Sequence, residues 1–133
     1  MYKEINVNSS RRSEFVDITG EIIKACTSFG LSEGAVTVYV PHTTAGVTIN
    51  ENADPSVVAD LVSTLDNLIP WDGPYRHREG NAAAHVKAGL MGSSVTIPVH
   101  QGSMSLGTWQ GIFFSEFDGP RTRRVIITGH SRD

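Results

Sequence analysis

A chain of 133 residues, 39% of them hydrophobic and 19% charged, is long enough for one domain that buries about two-thirds of its unfolded surface without cross-links. The 14 acids and 11 bases leave a formal net charge of -3, which excludes a globally basic nucleic-acid binder. The single Cys26 excludes an internal disulfide and fits a reducing cytoplasm, and no apolar run approaches the ~18 residues of a membrane span.

The alternation in Lys3 to Asn8, with Ile5 and Val7 on one side, predicts a first strand, and Glu14 to Ile18 predicts a second. Thr19 is placed to cap a helix over Gly20 to Phe29, stopped by Gly30. Two strands follow, Ala35 to Val40 and Gly46 to Asn50. Asp54-Pro55 is a strong helix start, and Val58, Leu61, Val62, Leu65, Leu68 and Ile69 form a core-facing stripe that Pro70 ends. Trp71 to Gly80 reads as a loop. Asn81 caps a helix from Ala82 to Met91, with Val86 and Leu90 on one face and Ala84, Ala88 and Gly92 on a small-residue face. Three strands close the chain, Val95 to Val99, Ser105 to Phe117 and Arg124 to Thr128, expected as consecutive hairpins around an Asp118-Gly119-Pro120 turn. With strands outnumbering helices about two to one, the fold class is α+β: a mostly antiparallel sheet or sandwich covered by helices, one compact domain over residues 1–133.

Gly102 and Gly107 bracket four residues as in a phosphate-cradling loop, but Thr108 stands where such a loop needs Lys, so a Walker-type site is rejected. Gly-x-Ser-x-Gly, Cys-x-x-Cys and Gly-x-Gly-x-x-Gly are absent too. Among the five histidines, His42 follows a strand, His77 lies in a polar loop and His85 is one turn inside the third helix. They can converge on one ion with water in an open position, or each can be an ordinary hydrogen-bonded histidine. Glu51 has no capping role, unlike Asp54, and is the better candidate for acid-base work. Glu116 shares a strand face with Gln110, Ile112 and Phe114, so a buried carboxylate there needs a cation or donor. Arg121 and the helix start at Asn81 each suit an anion, and a salt bridge is the plainer reading of Arg121.

The run Ser94-x-x-Ile97-x-Val99-x-x-Gly102-x4-Gly107-Thr108-Trp109-Gln110-x-Ile112 resembles the signature of the YjbQ-like family, the secondary thiamine-phosphate synthase enzymes. His42-Thr43-Thr44-Ala45-Gly46 running on to Asp54-Pro55, Gly80-Asn81 with His85, and Glu116-x-Asp118-Gly119-Pro120-Arg121 resemble it as well, so the likeness covers nearly the whole chain. It implies a compact α+β homotrimer in the cytoplasm that acts on a small phosphorylated substrate, without nucleic acid or membrane as partner. The implied reaction joins hydroxymethylpyrimidine diphosphate to thiazole phosphate and releases pyrophosphate, as a weak or secondary activity. The implied catalytic groups are His42, Glu51, His85 and Glu116. Asn81, Trp109, Gln110 and Arg121 bind substrate, and His42, His77 and His85 hold a divalent ion, zinc or magnesium. The alternative is a non-catalytic trimeric module that binds a small molecule or metal.

Overall fold

The computed structural model describes residues 1–132. Its elements in chain order are β1 (Tyr2–Asn8), β2 (Glu14–Asp17), α1 (Thr19–Phe29), β3 (Gly34–Tyr39), β4 (Ala45–Glu51), α2 (Pro55–Leu68), α3 (Ala82–Met91), β5 (Ser94–His100), β6 (Ser103–Met104), β7 (Gln110–Glu116) and β8 (Thr122–Ser131). They form two antiparallel sheets, β1-β8-β3-β5-β6 and β2-β7-β4. The α+β class read from the sequence is the observed one. No helix among the described residues is long and apolar enough to cross a membrane.

The main core lies between the two sheets and α1. Alternate residues of the large sheet (Val36, Val38, Ile97, Val99, Val125 and Ile127) meet Val47, Ile112 and Phe114 of the small sheet and Ile22 and Cys26 of α1. A second cluster covers the far face of the small sheet, where Phe15, Phe113 and Phe117 pack against Leu65 of α2 and Ala84 and Ala88 of α3. The small-residue face of α3 is therefore its buried one, and Val86 and Leu90 are exposed.

Four expectations need correction. The last three strands are not a meander: β7 belongs to the small sheet, while β8 lies between β1 and β3. The strand expected over 105–117 is broken, because Gly107 N donates to Gln110 Oε1 (2.8 Å) and Gln110 N donates to Gly107 O (3.1 Å), closing a turn. Thr19 does not cap α1, since its hydroxyl is engaged with Asp17 (2.6 Å) and accepts from Ile112 N (2.9 Å). In the α2 stripe only Leu65 is buried and Leu68 is 70% exposed, because a three-stranded sheet is too narrow to cover the whole face. Asp54 does cap α2, accepting from Ser56 N at 2.9 Å.

The sheets are tied together where Val47 N of β4 donates to Gly92 O (3.2 Å), beside Ser93, whose carbonyl accepts from Val40 N (2.8 Å) and extends the β3–β5 pairing. This close approach needs Gly46, where an added Cβ would lie 2.5 Å from Gly92 O and 3.3 Å from Met91 Cβ. Gly46→Ala should destabilise the fold by about 1–3 kcal/mol through overpacking, read as a lower urea midpoint at unchanged slope.

Candidate functional site

At one end of the small sheet, three segments converge: the loop between β3 and β4, the start of α3, and the turn between β7 and β8. Each contributes polar side chains because the strand ends release the chain there. They enclose a cleft of about 790 Å³ whose walls include His42, Thr43, Asn81, His85, Asp118 and Arg121.

The floor is organised by a buried ion pair. Glu116 is fully buried and Arg123 nearly so. Arg123 Nε donates to Glu116 Oε1 at 2.9 Å, and Nη2 donates both to Oε2 and to Thr44 Oγ1, the latter at 2.8 Å. The carboxylate also accepts from Ser9 Oγ (2.8 Å) and Asp118 N (3.0 Å). Burial alone would push the Glu116 carboxyl up. The Arg123 hydrogen bonds, the Asp118 amide and the Ser9 hydroxyl outweigh it and hold the group below the ordinary carboxylate range.

Above this floor, Arg121 donates from Nε to Asp118 O (2.9 Å) and from Nη2 to Asp118 Oδ2 (3.1 Å), leaving the half-exposed guanidinium fork facing the cleft. Asn81 does not cap α3, although it stands at the cap position. Its Nδ2 instead donates to Asp118 Oδ2 at 2.9 Å, and its buried Oδ1 has no partner. The first amides of α3 thus keep no side-chain cap from Asn81. His42 Nε2 accepts from Arg124 N at 2.9 Å. Burial first, then the Arg123 charge, holds the His42 imidazole below its usual range. His85 lies one turn into α3, and its ring packs edge-on against His77 with centroids 5.0 Å apart.

The structure therefore brings together His42, His85, Asn81 and Arg121 of the expected site. His77 touches His85 but lines a neighbouring hollow with Trp71 and Tyr75. Among the described residues no three of His, Cys, Asp and Glu are gathered as a metal centre, so the chain alone does not assemble the three-histidine set. Glu116 lies beneath the cleft, fully buried and bonded to Arg123, and is not among the residues that line it. Glu51, Trp109 and Gln110 are not in the cleft. Glu51 pairs with Gln110 at the opposite end of β4, six residues from Ala45 and hence roughly 20 Å away. Trp109 is 62% exposed there, and its carbonyl accepts from Asn52 N at 3.0 Å.

Sequence reasoning missed Ser9, Thr44 and the organising role of Arg123. The strand parity of Arg123, Val125 and Ile127 carried a signal for the last, since all three face inward. Lys87, buried on α3 and paired with Asp66 of α2, had no such flag.

Residues 3–131 match the model of a family described as UPF0047 protein YjbQ-like. The chain belongs to the YjbQ-like UPF0047 family. It is 50% identical over 127 residues to the UPF0047 protein MJ1081 of Methanocaldococcus jannaschii, covering 96% of this chain and 92% of that protein. It is 48% identical over 128 residues to the UPF0047 protein YugU of Bacillus subtilis, covering 96% and 97%. A crystal structure of an uncharacterised YjbQ/UPF0047 family protein from Clostridium acetobutylicum superposes with a TM-score of 0.95 at 50% identity, covering 96% of this chain and 99% of that one. YjbQ-like proteins thus share this two-sheet frame, and with it the cleft's supporting strands.

Removing one partner of the Glu116–Arg123 pair leaves a buried charge uncompensated, so Arg123→Met should cost about 3–5 kcal/mol in urea unfolding. The pH response has a definite sign. With the folded Glu116 pKa depressed, the unfolded chain binds the proton first, so the stabilisation is complete above the ordinary value of about 4.3 and is lost as pH falls below it. Unfolding midpoints measured from pH 7 to pH 3 should drop less steeply in Glu116→Gln than in the unmodified chain.

Proposed function

We propose that this YjbQ-like chain is a transferase for small phosphorylated substrates. The specific reaction is the thiamine-phosphate synthase step implied by the family resemblance, in which hydroxymethylpyrimidine diphosphate and thiazole phosphate join with release of pyrophosphate. The observation that carries the reading is the convergence, in one cleft, of the Arg121 fork, the uncapped start of α3 and the two imidazoles of His42 and His85. A helix N-terminus and a guanidinium both favour an oxyanion, and Arg can meet phosphate oxygens two at a time. Donors preorganised in this way stabilise charge that builds on a departing pyrophosphate. His85, whose ring has no hydrogen-bond partner among the described residues, is the group placed to move a proton. No step is assigned to a divalent ion, because among the described residues no three His, Cys, Asp or Glu gather as ligands for one.

The homotrimer belongs to the same proposal. On the outer face of the large sheet, Tyr2 and Tyr39 are 64% and 45% exposed. Tyr39 also lines the cleft, so copies docked on that face would border the site. A cytoplasmic setting is consistent with the unpaired Cys26.

Titration calorimetry with inorganic pyrophosphate should show binding that Arg121→Ala weakens roughly 10- to 100-fold, the range for one charge-assisted contact. A coupled assay with the two phosphorylated precursors should yield thiamine phosphate, and His85→Ala should abolish turnover while sparing pyrophosphate affinity. Binding without turnover would favour the non-catalytic module, and no binding at all would sink the phosphate reading.

A further inference from the structure

We propose that His42 serves the cleft as a fixed neutral hydrogen-bond donor, presenting Nδ1–H to an anionic oxygen of the ligand, rather than as a base or a metal ligand. The inference rests on the phosphate-cleft reading and adds to it which imidazole donates. Its basis is the bond from Arg124 N to His42 Nε2 at 2.9 Å. A backbone amide can only donate, so Nε2 must keep its lone pair, and a neutral imidazole then carries its proton on Nδ1. That nitrogen meets no partner among the described residues, although His42 lines the cleft.

The tautomer is set from the core outward. Arg124 follows Arg123, whose guanidinium is fixed by Glu116 and Thr44, and Arg124 itself is tied to Glu4 by Nη1 at 2.8 Å. The donating amide is therefore part of β8 and cannot turn away. Protonating Nε2 would set N–H against N–H. The charged groups acting on the ring are Arg123 and Arg124, both cationic, and Glu116, already neutralised by Arg123. Burial and the Arg123 charge act in the same direction as the amide, toward the neutral ring. Ligation of an ion by Nδ1 would need that proton removed, which the arrangement opposes. His42 and Arg121 line the same cleft from the β3–β4 loop and the β7–β8 turn, so one anion there is within the province of both.

Long-range 15N–1H correlation spectra of the full chain labelled at histidine should give a pyrrole-type Nδ1 and a pyridine-type Nε2 for His42 between pH 6 and 8. An Nε2–H tautomer would overturn the proposal. Two variants separate the nitrogens: His42→Asn keeps an N–H donor near the Nδ1 position, and His42→Gln keeps an acceptor near Nε2. With both shown to be folded by thermal unfolding, His42→Gln should bind pyrophosphate roughly tenfold more weakly, and His42→Asn should stay within about threefold of the unmodified chain. The reverse ranking would overturn the donor role. If the unmodified chain fails to bind pyrophosphate, the phosphate reading falls, and the tautomer spectra still decide the state of His42.

Discussion

Beneath the cleft, a carboxylate and a guanidinium are held almost entirely out of water, and nearly every hydrogen-bonding position on them is used. Desolvating two charges costs several kcal/mol each, which their attraction offsets only when the remaining donors and acceptors are satisfied as well. Here the satisfying groups come from three separate stretches of chain. Ser9 follows β1, Thr44 belongs to the loop that carries His42, and Asp118 N opens the turn that carries Arg121. The pair therefore contributes less as a source of stability than as a fixed reference point. Two of the segments that wall the cleft, those of Thr44 and Asp118, must return to it or leave a buried charge less well satisfied.

The same constraint orders the cleft's outer layer. Asp118 uses its backbone amide on Glu116 and its carboxylate on Asn81 and Arg121, so α3 and the β7–β8 turn are joined through one side chain. Ser9 Oγ also accepts from Arg121 N at 3.0 Å, which pins the base of the guanidinium stem while its fork remains half-exposed. Held at its backbone by Ser9 and at its guanidinium by Asp118, Arg121 has little ordering left to undergo if a ligand binds beside it. Tyr39, on the outward-facing side of the large sheet, lies at this rim and is 45% exposed.

Much of the frame was legible in the chain. Alternation marked the inward residues of β3, β5 and β8, and Asp54-Pro55 fixed the start of α2, because these signals are local. Sheet membership was not legible: β7 and β8 adjoin in sequence yet sit in different sheets, and only the long-range pairing of β1 with β8 decides that. The polar blocks pointed to His42, His85, Asn81 and Arg121 because residue type and strand-end position agree there. Glu51 and Trp109 looked equally polar or aromatic but lie at the other end of β4 and β7, a distance that spacing cannot convey. Gln110 closes its own turn through Gly107 N, so the segment Gly107 to Gln110, distinctive as sequence, is a turn-former remote from the chemistry. The pairing of Glu116 with Arg123 needed only strand parity on each side, yet their partners Ser9 and Thr44 come from elsewhere in the fold.

Strand β1 pairs with β8 along its whole length, Tyr2 opposite Thr128 and Asn8 opposite Thr122, and Ser9 N continues the contact to Arg121 O at 3.0 Å. The two strands lie far apart in the sequence, and β1 joins the large sheet only through β8. Closing so long a loop is entropically expensive and yields nothing until the pairing forms, which marks this topology as a slow folder among domains of its size. Without β8, Glu116 lacks Arg123 and His42 lacks the amide that donates to its Nε2. Closing the large sheet at β8 and completing the floor of the cleft therefore depend on the same long-range pairing.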